Sequence, residues 1–165
     1  MAPPSSGWTI RRFLERLGSA EPSPGGGSAA ALASALGCAV AGKVCRLVLK
    51  RRRTPARARP ALRKTQAELG RLSRRLEALI REDALAYQRL VRAARTGHGL
   101  RAARAGAVRC PLAICDSSVQ ALKCVTRLRP LAGRYLGSDL NAARALLKAG
   151  FEGADLMVEI NLEHS

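Results

Sequence analysis

The sequence predicts an all-α fold, a bundle of about five helices, on three observations. Apolar residues make up 47% of the 165 positions but aromatics only 3%, so the core must be Leu, Ala and Val. Strand-forming β-branched and aromatic residues are scarce, and small residues let helices approach closely. Leucines recur at three- and four-residue spacing over long windows, and proline and glycine fall between those windows, where helices end. The length is read as one domain over 1–165, long enough to bury a core.

Thr9 suits the cap of a short amphipathic helix over 10–17, with Ile10, Phe13, Leu14 and Leu17 on one face. The segment from Gly18 to Gly27 is a loop. Pro22 and Pro24 forbid helix there, and Gly25, Gly26 and Gly27 can turn anywhere. Ser28 is an N-cap residue by type, so the second helix is expected from Ser28 to about Lys50. Such a helix start offers free N–H groups and a positive dipole end, which suit an anionic ligand. Ala31, Ser34, Ala35, Cys38, Ala39, Gly42 and Cys45 make this helix the expected most buried element. Being apolar on more than one side, it also predicts self-association.

A basic linker over 51–59 contains Pro55, and Pro60 fits the first turn of a third helix reaching about Arg95. Its apolar stripe is Leu69, Leu72, Leu76, Leu79, Ile80, Tyr87, Leu90 and Val91. Gly97-His98-Gly99 breaks it. A fourth helix runs from about Leu100 to Leu128, kinked or split at Pro111 and ended by Pro130 and Gly133. The last helix is expected from near Ser138 to about Leu162.

The net charge is +17, from 24 Arg and 5 Lys against 12 acids. An anionic partner is one reading and an Arg-rich composition that solvates helix faces is the other. The arginines are spread along the chain, with few aromatics to stack on bases, so nucleic acid is the weaker partner. Five cysteines form no C-x-x-C pair, which indicates neither a disulfide framework nor a zinc site. Residues 1–7 lack the apolar segment of a signal peptide. The apolar run over 29–42 is shorter than a membrane span and ends at Lys43. The expected location is the cytoplasm, with no membrane partner.

Asp83 stands inside the third helix's apolar stripe, with Leu76, Leu79, Ile80, Tyr87 and Leu90 at −7, −4, −3, +4 and +7. A carboxylate there needs a partner or a function: an ion pair with one of the arginines, or acid–base work. Asp139 lies on a similar but weaker stripe, where Ser138-Asp139 also reads as an ordinary helix start. Residues 37–43 imitate a phosphate-binding loop, but Val44 stands where a magnesium-holding Ser or Thr is needed and no strand precedes it. His98 and His164 have no nearby ligand set, so no metal site is expected.

Four motifs occur in order: P-x-P-G-G-G-S-A at 22–29, D-A-x-A-Y at 83–87, S-D-L at 138–140 and I-N-L at 160–162. With Pro111-Leu112 inside the fourth helix, the chain from Trp8 to Leu162 resembles the cyclodeaminase/cyclohydrolase family. That family includes the C-terminal domain of formiminotransferase-cyclodeaminase and bacterial methenyltetrahydrofolate cyclohydrolases. The resemblance implies a helical bundle that dimerises, with a folate site near the dimer interface. It implies ring closure of formiminotetrahydrofolate with loss of ammonia, or interconversion of methenyl- and formyltetrahydrofolate by water. No tightly bound cofactor is implied; a tetrahydrofolate derivative is the substrate.

Both reactions pass through a tetrahedral carbon between two nitrogens and need a proton donor and a base. Asp83 and Asp139 are the catalytic candidates. Pro24, Gly25, Gly26, Gly27, Ser28, Tyr87, Ser138 and Asn161 are the substrate-binding ones. The chain departs from the family at two places. The usual G-N-x-N-A-x-S-D has lost both asparagines in the segment 133–139, and the usual L-N-V-R-I-N carries Met157 and Glu159. Members also commonly continue with one more helix after I-N-L. Two alternatives therefore stay open: a catalytically silent relative that binds a folate-like anion or serves as an interaction module, and a basic helical nucleic-acid binder.

Overall fold

The computed structural model describes residues 7–163; residues 1–6 and 164–165, with His164 and most of the stretch tested for a signal peptide, lie outside them. The described residues form α1 (Ile10–Leu17), α2 (Gly26–Lys50), a single 3-10 turn (Ala56–Ala58), α3 (Arg59–Thr96) and α4 (Leu100–Glu163), with no strand among them. The fourth helix is two arms. At Gly133 the backbone turns to φ +68°, a left-handed value that glycine alone adopts freely, and the arms 100–132 and 134–163 fold against each other and α2.

The fourth helix ends at Gly133, as the sequence predicts, whereas the kink or split expected at Pro111 does not occur. Pro111 is buried and keeps helical backbone angles. The chain end opened at Gly133 is held by Arg51, whose Nη1 donates to the Ala132 carbonyl at 2.8 Å and the Leu131 carbonyl at 3.4 Å. Those are carbonyls that a helix end leaves without partners.

α2 packs against both α3 and α4, and 13 of its 25 residues are buried. Against α4 the closest approaches are at Gly37 and Gly150, and not at Gly42. A Cβ on Gly37 would lie 2.7 Å from Leu147 Cγ, and one on Gly150 would lie 2.7 Å from the Ala30 carbonyl. At Gly42 the nearest atom would be Arg46 Nη1 at 3.9 Å. Contrary to the sequence expectation, α2 is long and apolar enough to cross a membrane by length and composition, because its apolar character extends beyond residue 42. In the fold it is a core helix.

The stripe on α3 divides in two. Leu69, Leu72, Leu76 and Leu79 are buried, whereas Tyr87 and Val91 are exposed. α1 is pinned by Phe13 alone, and its Ile10 and Leu14 face solvent, against the four-residue apolar face expected of it. Thr9 caps it as predicted, accepting from the Arg12 N–H at 3.1 Å.

Candidate functional site

The site is built where α2 begins. The helix starts at Gly26 with Gly25 as its cap residue, two positions before the predicted Ser28. Ser28 lies within the first turn, and its hydroxyl points across to α3. Ser28 Oγ donates to Asp83 Oδ2 at 2.8 Å and lies 3.2 Å from the Ile80 carbonyl. The acidic group at the start of α2 is thus supplied by the protein itself: the Asp83 carboxyl reaches the first turn of α2 from a neighbouring helix. The dipole favours a negative charge at this end.

The glycines of the loop now have separate reasons. A Cβ on Gly27 would overlap Asp83 Oδ1 and come within 2.7 Å of its Cγ. Only glycine lets the carboxylate reach the helix start. A Cβ on Gly26 would meet Met157 Sδ at 3.4 Å, so the thioether lies over the loop. Gly25 is extended, and Ser23 and Pro24, joined by a cis peptide bond, are buried beneath it. Replacing Gly27 by Ala is expected to displace the carboxyl and lower turnover about tenfold or more, while melting moves little because a side-chain end can swing away. Turnover at the wild-type level in that variant would show that the contact has no functional role.

Burial pushes the Asp83 carboxyl above the ordinary aspartate value, and hydrogen bonding from Ser28 pulls it partly back. Its hydrogen-bond partner is a neutral hydroxyl, and none of the four ion pairs among the described residues includes it. The arginine partner considered from the sequence is replaced by serine. Cys110, missed by sequence reasoning, faces the same region from α4. Burial, and secondly the Asp83 charge, push its thiol up to about 12, so it is a neutral wall and not a nucleophile. No spacing in the sequence could signal it, since 27 positions and a helix reversal separate Cys110 from Asp83.

Tyr87 lies one turn beyond Asp83 on the same face of α3 and is 42% exposed, open to a ligand. Asn161, on the far arm of α4, donates through Nδ2 to the Ala107 carbonyl at 2.9 Å, one turn before Cys110. The structure therefore brings together Gly25–Ser28, Asp83, Cys110, Met157 and Asn161 at one end of the bundle. Ser138 and Asp139 are elsewhere. Ser138 Oγ donates to the Tyr135 carbonyl at 2.9 Å, and Asp139 pairs with Lys43 at 3.1 Å. Lys43 is 15 residues from Ser28 along α2, about 22 Å at 1.5 Å per residue. Within one protomer the two aspartates do not face one reacting atom.

Comparison with known proteins gives three concordant findings. The family described as formiminotransferase-cyclodeaminase matches residues 9–165. A methenyltetrahydrofolate cyclohydrolase of Methylorubrum extorquens is 29% identical over 171 residues, covering 93% of this chain and 78% of its own. The crystal structure of formiminotetrahydrofolate cyclodeaminase from Thermotoga maritima superposes with a TM-score of 0.91 at 22% identity, covering 96% of this chain and 80% of that one. The last likeness shows a shared fold.

Proposed function

The chain belongs to the formiminotransferase-cyclodeaminase family, and from that membership and the site geometry we propose that it acts on a one-carbon derivative of tetrahydrofolate, as a cyclodeaminase or cyclohydrolase. The observation that carries this reading is Asp83: a half-buried carboxyl with a raised proton affinity, fixed by Ser28 and one helical turn before the exposed Tyr87. A group of this kind exchanges a proton with a bound substrate instead of standing permanently ionised.

Two reactions use it. In hydrolysis, water attacks the methenyl carbon between N5 and N10. Asp83 as carboxylate takes one proton of the attacking water and returns it to the nitrogen whose bond to carbon breaks, while the remaining hydroxyl proton leaves to solvent as the formyl C=O forms. In cyclodeamination, N10 attacks the formimino carbon, protonated Asp83 gives its proton to the departing ammonia, and the carboxylate so formed takes the proton that N10 loses. Either way the carboxylate also lies near a carbon bearing amidinium positive charge, which it stabilises. One site suits both because each passes through a tetrahedral carbon held between N5 and N10, bearing a hydroxyl in hydrolysis and an amine in cyclodeamination.

Asp139 is paired with Lys43, about 22 Å along α2 from Ser28, and joins this chemistry only if a second copy brings its own Asp139 to the site. The homodimer read from the sequence is retained here as part of the proposal. Purified protein should form methenyltetrahydrofolate from formiminotetrahydrofolate, or hydrolyse it, faster than buffer, as followed by absorbance. No rate above buffer in either direction would contradict the proposed activity and leave the silent-relative alternative.

A further inference from the structure

Proline inside a helix removes one backbone N–H and strands the carbonyl four residues earlier. For Pro111 that carbonyl belongs to Ala107, and both residues are buried. A buried carbonyl without a donor is costly. Here the donor is a side chain from the other arm of the same helix: Asn161 Nδ2, 2.9 Å from the Ala107 oxygen and 54 residues away in sequence. The helix passes through Pro111 without a break.

The place of this bond matters. Ala107 is one turn before Cys110, whose Sγ lies 3.8 Å from the Leu79 carbonyl, one turn before Asp83 on α3. Asn161 is one turn after Met157, which lies over Gly26. The bond thus ties the end of the C-terminal arm to the arm beside Asp83, at the level of the α2 start. We infer that Pro111 and Asn161 form a positioning pair, in which the proline leaves a carbonyl free and the amide binds it, fixing the C-terminal arm against the glycine loop and Asp83. Asn161 then holds the site together whatever further contacts it makes, including one to substrate. The activity arm of this inference rests on the folate reading above; its stability arm does not.

A double-mutant cycle tests it, with melting temperature, kcat and KM measured for wild type, Asn161→Ala, Pro111→Ala and the double variant. Asn161→Ala should lower the melting temperature by about 5 °C and kcat about tenfold, with KM nearly unchanged. Pro111→Ala restores the N–H that binds the Ala107 carbonyl, so in that background Asn161→Ala should cost less than half as much in both readouts. Asn161→Asp, equal in size but without the donor, should reproduce Asn161→Ala in the wild-type background, which keeps the test valid should Pro111→Ala fail to fold. Equal cost in both backgrounds, no cost in either, an unaffected Asn161→Asp, or a raised KM with unchanged melting would overturn the pairing. Absence of turnover in the wild type would defeat the folate reading, while the melting cycle would still decide the pair.

Discussion

Replacing Asp83 by Asn is expected to lower kcat by roughly 10²–10⁴-fold with little change in substrate affinity, because shape and the Ser28 contact are kept while proton transfer is lost. The same change should not destabilise the protein. Asp83 has no arginine to leave unpaired, and burial has already raised its proton affinity above the ordinary 3.8. The sign follows from linkage. The folded state binds the proton more tightly than the unfolded one, so stability falls as pH rises from about 3.8 through the folded value and then levels off. Asparagine has no charge to desolvate. The melting temperature of Asp83→Asn relative to wild type should therefore rise with pH across that window. A loss of stability that grows with pH would mean that Asp83 is a structural anion and not a proton-transfer group.

Replacing Gly150 by Ala is expected to be the most damaging small substitution for the fold. The added Cβ would overlap Ser34 Oγ and come within 2.7 Å of the Ala30 carbonyl and 2.9 Å of the Ser34 nitrogen. The last two are backbone atoms of α2, so relief requires a shift of the helix pair. Ser34 is further fixed by its 2.7 Å hydrogen bond to Ser118. Overpacking of this kind costs about 1–3 kcal/mol, or roughly 3–10 °C of melting temperature in a chain of this size. Thermal denaturation checks it. Gly42→Ala serves as the control, since a Cβ there meets nothing nearer than 3.9 Å and should melt near the wild type.

These two substitutions mark what the sequence disclosed and what it hid. The helices were legible because leucine spacing and Gly/Pro punctuation act locally. Asp83 was legible for the same reason: a carboxylate among Leu76, Leu79 and Ile80 contradicts its own helix face. Its partner was not. That Ser28 reaches across to α3 instead of capping its own helix is decided by where α2 and α3 cross, 55 positions apart in sequence. The glycines of α2 and α4 that allow close packing were equally hidden. Gly37 and Gly42 look alike in the sequence, and only the crossing point of α4 distinguishes them. Pro111 reads as a helix breaker until a donor from residue 161 is seen beside the carbonyl it strands. The separation of Asp139 from Asp83 was invisible for the opposite reason: motifs give order along the chain and no distance between its parts.

The claim at the centre of this account is that Asp83 exchanges the proton in turnover, and the pH dependence of kcat/KM measures it most directly. Wild-type protein should show an ionisation limb at a pH above the ordinary aspartate value, rising with pH if it acts first as base in hydrolysis and falling if it acts as acid toward ammonia. That limb should be missing from the residual activity of Asp83→Asn. An identical pH profile in the two proteins, at comparable rates, would show that the proton moves through another group.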